Sequence, residues 1–136
     1  MNFNKSTEYA LRILSYMSLN ESDLYTADVL HENLQIPKKY LQRILTDLVR
    51  GNFIISIRGR NGGFSFARDI NTIHLAEIIN FSEGIAWEQK CFFGFKDCAL
   101  DQPCIMHNLW AEKHDAQVRM LNSTTLGDLK SRHRKM

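Results

Sequence analysis

The fold is decided by residues 36–67, which read IPKKYLQRILTDLVRGNFIISIRGRNGGFSFA. The first half has the spacing of an amphipathic helix, with Pro37 suited to its first turn and Gly51 to its end. Its apolar stripe consists of Leu41, Ile44, Leu45 and Leu48. The second half predicts a hairpin, because strands at Phe53–Ile57 and Phe64–Ala67 flank a glycine-rich turn. A basic amphipathic helix followed at once by such a hairpin is typical of a recognition helix and its wing.

The segment before this stretch completes the pattern. Ser6–Leu19 has apolar residues at helical spacing, and the turn formers at 20–23 end it. Thr26 is a candidate N-cap for a short second helix to about Leu34. Two short helices joined by a tight turn at 35–37 form a helix-turn-helix. We therefore predict a mainly α fold with a small β-hairpin wing, a winged helix-turn-helix over residues 1–70.

The segment after the hairpin predicts two further helices. The first covers His74–Ser82 and ends at Gly84, and a loop over 85–103 leads to a long helix at about 103–121. On the long helix an apolar stripe is formed by Ile105, Leu109, Ala116 and Met120. Such a stripe predicts packing against a second copy of the chain, the alternative being packing on its own domain. Residues 71–136 would then form a loop and dimerisation helix within one compact domain.

Charge is distributed unevenly along the chain, although the net charge is only +2. Residues 38–68 carry seven basic side chains against one acidic side chain, whereas the segments on either side are net acidic. A basic block in an otherwise acidic chain indicates a surface for a polyanion, and its alternative is an ordinary solvated face. With the helix-turn-helix, this favours double-stranded DNA. The predicted contact residues are Lys38, Lys39, Tyr40, Gln42, Arg43, Arg58, Arg60 and Asn61.

Composition excludes several other classes of protein. With 44% apolar residues, the chain can supply a core, yet it has no apolar run long enough to span a membrane. No secretion signal follows Met1, so we expect a cytoplasmic protein. In that compartment its three cysteines are expected to be thiols or metal ligands rather than disulfides.

Those three cysteines, Cys91, Cys98 and Cys104, lie within fourteen residues. Thiolates select zinc, copper(I) or iron–sulfur clusters over hard cations. Spacings of six and five residues fit the short knuckles of structural zinc poorly, and they suit a loop around a larger cluster. The alternative is that all three are unligated thiols.

The assembled motifs resemble the Rrf-two family of winged helix-turn-helix transcription regulators, many of which carry an iron–sulfur cluster. The resemblance covers nearly the whole chain. It rests on the segment at 8–12 (EYALR), on Ile36-Pro37 with Tyr40-Leu41, and on the wing at 58–64 (RGRNGGF). The three cysteines and the closing segment at 125–129 (TLGDL) complete it.

The resemblance implies a [4Fe-4S] or [2Fe-2S] cluster held by Cys91, Cys98 and Cys104. It offers two candidates for a fourth ligand. His107 stands where the branch controlling cluster assembly uses a histidine, and Glu8 where the nitric-oxide-sensing branch uses a carboxylate of the partner subunit. The family commonly has five residues between the first two cysteines, where this chain has six.

We therefore expect a homodimeric regulator, a repressor of a pseudo-palindromic operator, whose cluster senses nitric oxide, redox state or iron–sulfur status. The first alternative is a cluster-free regulator that uses its thiols as a redox switch. The second is a redox enzyme or electron carrier. It is disfavoured, because the sequence shows no substrate or flavin site and a wing would have no purpose there, so we expect no enzymatic activity.

Overall fold

A computed structural model describes residues 3–84, Trp87 and residues 105–135. Within them the chain is mainly helical with one antiparallel hairpin, so the predicted fold class is confirmed. The elements are α1 (Lys5–Met17), α2 (Ala27–Leu34), α3 (Lys38–Arg50), β1 (Ile54–Ile57), β2 (Gly63–Phe66), α4 (Leu75–Glu83), α5 (Ile105–Ser123) and α6 (Leu126–Lys135). Short 3₁₀ turns at Ser18–Asn20 and Ile70–Thr72 follow α1 and precede α4.

The ends of the helix-turn-helix follow ordinary capping rules. The Thr26 side chain accepts a hydrogen bond from the Val29 amide at 3.2 Å, which confirms it as the N-cap of α2. Gln35 ends α2 in the left-handed region at φ 56°. Pro37 stands at the N-cap of α3, one residue before the predicted first turn, because its ψ of 136° is still extended. Gly51 ends α3 as predicted.

The wing is a short hairpin with Ile54 opposite Phe66 and Ile57 opposite Gly63. Its second strand also pairs with the residue before the N-cap of α2. Tyr25 and Phe64 exchange two backbone hydrogen bonds, at 2.9 and 2.8 Å. The Tyr25 hydroxyl donates to the Asn20 carbonyl oxygen at 3.1 Å. The wing is therefore joined to the helix-turn-helix by backbone pairing as well as by chain connection.

Within the described parts of the chain, the buried side chains form two clusters of unequal size. The larger cluster contains the inward faces of α1, α2 and α3 with the base of the wing, and Ile13, Leu14 and Met17 have no exposed surface in it. The smaller cluster consists of Ala76, Ile79, Trp87 and Leu121. It lies between α4 and α5 and reaches Phe3, whose ring meets Trp87 edge-on at 6.2 Å.

Helix α6 is an element that the sequence analysis did not predict. Its start is capped reciprocally, since Thr125 Oγ1 accepts from the Asp128 amide and Asp128 Oδ2 accepts from the Thr125 amide, at 3.1 and 2.9 Å. Leu126 is fully buried in the larger cluster, and Lys130 forms an ion pair with Glu21. The chain thus returns after α5 to pack against the helix-turn-helix half.

Among the described residues, no helix has the length and apolar character needed to cross a membrane.

Candidate DNA-binding surface and metal-ligating residues

The outward face of α3 carries the polar residues that the sequence singled out. Leu41, Ile44, Leu45 and Leu48 are buried, and at 100° per residue they define one side of the helix. The opposite side is centred on Lys39, Arg43, Thr46 and Arg50, with Gln42 beside them, and all five are exposed. We call this set the outward face. It matches the geometry of a helix that enters a major groove.

Contacts around the start of α3 involve three of the predicted DNA-contacting side chains, Lys38, Lys39 and Tyr40. Lys38 pairs with Asp28 of α2 at 3.1 Å, but both side chains are more than two thirds exposed, so the pair is weak. The Lys39 ammonium lies 5.0 Å from the centre of the Tyr40 ring. Tyr40 in turn contacts Tyr9 of α1, with ring centres 6.3 Å apart. The predicted contact residue Tyr40 is therefore linked to the first helix.

The wing tip presents Arg58, Arg60 and Asn61 to solvent. The glycines at the wing tip are suited to their positions for different structural reasons. Gly62 is required by the hairpin itself, because a side chain there would overlap the Ile57 carbonyl oxygen. Gly59 has a φ of 115° and open space before it, which leaves that part of the tip free to lie against a nucleic-acid backbone. The expected close approach to DNA is thus available at Gly59, whereas Gly62 serves the turn.

A hydrogen-bonded arginine fixes the base of the wing. Arg68 Nη2 lies 2.8 Å from both carboxylate oxygens of Glu77 on α4 and donates to the Thr72 carbonyl oxygen at 2.7 Å. Burial alone would raise the pKa of Glu77, but the hydrogen bonds from Arg68 and the His74 amide outweigh it and hold that pKa below its ordinary value. The sequence analysis missed this pair, since its members stand nine residues apart on different elements.

The candidate cluster ligands are only partly within the described residues. Cys91, Cys98 and Cys104 lie outside them. Glu8 lies in the first turn of α1, with its side chain 38% exposed and an ion pair to Lys5 at 3.2 Å. His107 is exposed near the start of α5. No group of three His, Cys, Asp or Glu side chains within residues 3–84, Trp87 and 105–135 is placed to hold a metal ion.

A second carboxylate, Glu83, connects the start of α1 with the end of α4. Its Oε2 accepts from the Asn4 amide at 2.8 Å and from the Thr7 hydroxyl at 2.7 Å. Thr7 is fully buried, next to Glu8 in sequence. Glu83 therefore fixes the helix that carries Glu8 to the helix that precedes the cysteines. No periodic pattern in the sequence predicts this contact, because Thr7 and Glu83 are 76 residues apart.

Helix α5 has two different faces. Leu121 and His114 are buried on the side that packs in the smaller cluster. Leu109 and Met120 are each 55% exposed, and Ala116 between them is also exposed. These residues form the predicted apolar stripe, which lies roughly 120° around the helix from Leu121. Leu109, Ala116 and Met120 therefore keep their side chains exposed, and these are the members of the stripe whose burial the structure describes.

Comparison with known proteins gives a consistent result. A family model described as Rrf2, Iron-dependent Transcriptional regulator, matches residues 3–132. HTH-type transcriptional regulator NsrR of Oceanobacillus iheyensis is 29% identical over 95% of this chain and 89% of its own length. HTH-type transcriptional regulator IscR of Escherichia coli is 27% identical over 95% of this chain and 80% of its own.

Among solved structures, CymR, the Global Cysteine Regulator of B. subtilis, superimposes with a TM-score of 0.81 at 23% identity. The match covers 96% of this chain and 97% of that one, and it shows the shared winged-helix fold. Members of the matched family are transcription regulators and not enzymes. The chain therefore belongs to the Rrf2 family of DNA-binding transcription regulators, the Rrf-two family that its motifs resemble.

Proposed function

We propose that this chain acts as a homodimeric repressor whose affinity for a pseudo-palindromic operator is controlled by an iron–sulfur cluster. The observation that carries the proposal is the exposed outward face of α3 beside a wing tip with two arginines. In this proposal Lys39, Gln42 and Arg43, which are exposed, would meet base edges in the major groove. Gln reads adenine through paired hydrogen bonds, whereas Lys and Arg favour guanine or phosphate.

The proposed dimer uses the apolar stripe of α5. Exposed leucine and methionine side chains on one face of a long helix are stabilised when a second copy covers them. A two-fold dimer would present two recognition helices symmetrically, which is why the operator should be a pseudo-palindrome. This arrangement agrees with the separate buried face of α5. That face packs in the smaller cluster of the same chain, so the exposed stripe remains available for a second copy. We further propose a cytoplasmic location, where such an operator is found.

The proposed cluster would be [4Fe-4S] or [2Fe-2S], held by Cys91, Cys98 and Cys104. The available donors fit such a group, because three thiolates lie close in sequence and two further donors are accessible. Glu8 is engaged by Lys5 at a weak surface pair, and His107 is exposed, so either side chain is free to turn toward a ligand position. The cluster would supply an iron site that reacts with nitric oxide or oxidants.

The route from that site to DNA would pass through α1. Ile13, Leu14 and Met17 pack α1 into the same cluster as the buried face of α3, and Tyr9 contacts Tyr40. If Glu8 of one subunit binds the partner's cluster, its release would free α1 and change the separation of the two recognition helices. The dimer would then lose the spacing of the half-sites, which is a shift between two populations.

Anaerobic purification with iron and sulfide analysis tests the cluster directly. A brown protein with stoichiometric iron and sulfide supports the proposal. A colourless protein whose DNA binding responds to thiol oxidation supports the cluster-free alternative instead.

The fourth ligand is tested with a matched pair of variants, Glu8→Ala and His107→Ala, reconstituted without oxygen. Loss of the true ligand should change the absorption and Mössbauer spectra and uncouple DNA affinity from cluster state. If Glu8→Ala keeps both the parent spectrum and the parent response to nitric oxide, the route through α1 is wrong.

A further inference from the structure

A cleft of about 460 Å³ lies between the start of α1, the outward flank of α3 and the end of α4. We call it the flanking cleft. Its polar lining includes Ser6 of α1, Arg43, Asp47 and Arg50 of α3, and Ser82 of α4. It is open to solvent along one side, so it suits the edge of an extended ligand better than an enclosed small molecule.

The position of the flanking cleft connects it with the proposed DNA surface. Arg43 and Arg50 are two turns apart and belong to the outward face of α3. The cleft therefore adjoins the candidate base-reading side chains and shares Arg43 with them, on the flank of α3 that faces α1. A helix in the major groove has a phosphate backbone on both sides, and phosphate contacts fix its register there.

The charge of the flanking cleft is suited to an anion. Two guanidinium groups stand against one carboxylate, and hydroxyls from Ser6 and Ser82 add donors. Arg50 lies 3.6 Å from Asp47 and its side chain is 73% exposed. One such contact leaves most of the five N–H donors of a guanidinium available.

We propose that the flanking cleft binds a DNA backbone phosphate beside each half-site, on the α1 side of the recognition helix. This rests on the proposed function, and it extends the DNA surface to Ser6, Arg50 and Ser82, outside the predicted contacts. The first helix thereby touches DNA directly, so a displacement of α1 alters a phosphate contact as well as the dimer spacing.

The first test places a negative charge in the flanking cleft with Ser6→Glu. An acidic residue in the first turn of a helix is favourable to the helix, so the variant should remain folded. Ser131→Glu is the matched control, because it makes the same charge change at an exposed position of α6 outside the cleft. On a duplex selected from a random pool by the parent protein, Ser6→Glu should weaken binding about tenfold and the control less than twofold.

The second test locates the phosphate. Arg50→Ala should lower the slope of log affinity against log salt by about one unit. Methylphosphonate substitutions, scanned along the selected duplex, neutralise one phosphate at a time. Neutralising one phosphate that flanks the half-site should weaken DNA binding by the parent protein and leave DNA binding by the Arg50→Ala variant unchanged.

The outcomes separate this proposal from the function on which it rests. If the parent protein selects no duplex, the DNA-binding function itself fails. If the parent binds but Ser6→Glu and Arg50→Ala keep its affinity and salt slope, the flanking cleft makes no phosphate contact. Inorganic phosphate that binds without DNA, together with a flat methylphosphonate scan, would identify a small-anion site and overturn the assignment to DNA.

Discussion

The two buried clusters of the described residues differ in how much of the apolar surface of their helices they bury. The larger cluster covers the inward faces of α1, α2, α3 and the wing base, and it also takes in Leu126 of α6. The smaller cluster buries one side of α5 and leaves Leu109 and Met120 half exposed on another. The DNA-binding half thus covers its apolar faces within one chain, whereas α5 keeps one apolar face exposed, which the proposed dimer would cover.

This difference separates two kinds of mutational effect. Changes in the larger cluster should act on the stability of each chain, independent of protein concentration. Changes on the α5 stripe should act on association, and their effect on the melting temperature should depend on concentration. The predictions that follow use that contrast.

The largest effect is expected for Leu126→Ala. Leu126 is far from the helix-turn-helix in sequence but has no exposed surface in the larger cluster, so its loss should lower the free energy of unfolding by about 2–5 kcal/mol. Denaturant titration at two protein concentrations measures this. A cost below about 1 kcal/mol would mean that α6 does not belong to the DNA-binding half.

Leu109→Asp should break the dimer with little effect on the fold of one chain. A charge at the centre of an apolar interface is costly, and central positions contribute about 2 kcal/mol or more to association. Sedimentation should give the mass of one chain at micromolar concentration. Asn108→Asp is the control and should stay dimeric, because it makes the same charge change at an exposed position of α5 about 100° around the helix from the stripe. If Leu109→Asp sediments as a dimer, α5 is not the interface.

Gln42→Ala tests base reading by the outward face of α3. Loss of a paired hydrogen bond to a base should cost roughly 1–3 kcal/mol and relax the preference at one base pair of each half-site. Binding to all single-base variants of the selected duplex measures this. An unchanged preference at every position would remove Gln42 from the contact set.

Arg60→Ala tests the wing tip. We expect weaker binding to specific and random duplexes alike, with a salt slope lower by about one unit, because the lost contact is to a phosphate. Titration at two salt concentrations is sufficient. A parent-like slope would show that the wing tip stays clear of DNA.

Glu77→Gln should give the smallest effect, about 1 kcal/mol, because the Arg68–Glu77 pair is partly exposed. The folded-state pKa of Glu77 is lowered, so its contribution is present above the unfolded pKa and is lost as the pH falls through the folded value. The difference in stability between the parent protein and Glu77→Gln should therefore shrink in acid. A difference that stays constant as the pH falls far below the ordinary glutamate pKa would contradict the pairing.

The sequence predicted the elements whose signals are local. The N-cap Thr26, the stop at Gly51 and the hairpin turn each act within a few residues, and the structure confirms them. The apolar stripe of α5 could also be predicted, since it depends only on the spacing of apolar residues within one helix. Helix α6 also carries a local signal, because Thr125 and Asp128 stand three residues apart and cap its start reciprocally.

The contacts that were not predicted depend on distant partners. Glu83 meets Thr7 across 76 residues, and no periodicity links the two. The flanking cleft likewise exists only because three helices meet. The predicted cysteine ligands lie outside the described residues, and together with Glu8 and His107 they stay predictions.

The backbone pairing of Tyr25 with Phe64 has a consequence for how operators can vary. It fixes the wing to the start of α2 by main-chain hydrogen bonds, and the base of the wing packs in the same cluster as α3, so the wing and the recognition helix should move as one rigid body. Within a half-site, then, we expect no tolerance for an inserted base pair between the two contacted zones. Any freedom in operator length should appear only at the centre of the palindrome, where the rigid bodies of the two subunits would be joined through the proposed dimer.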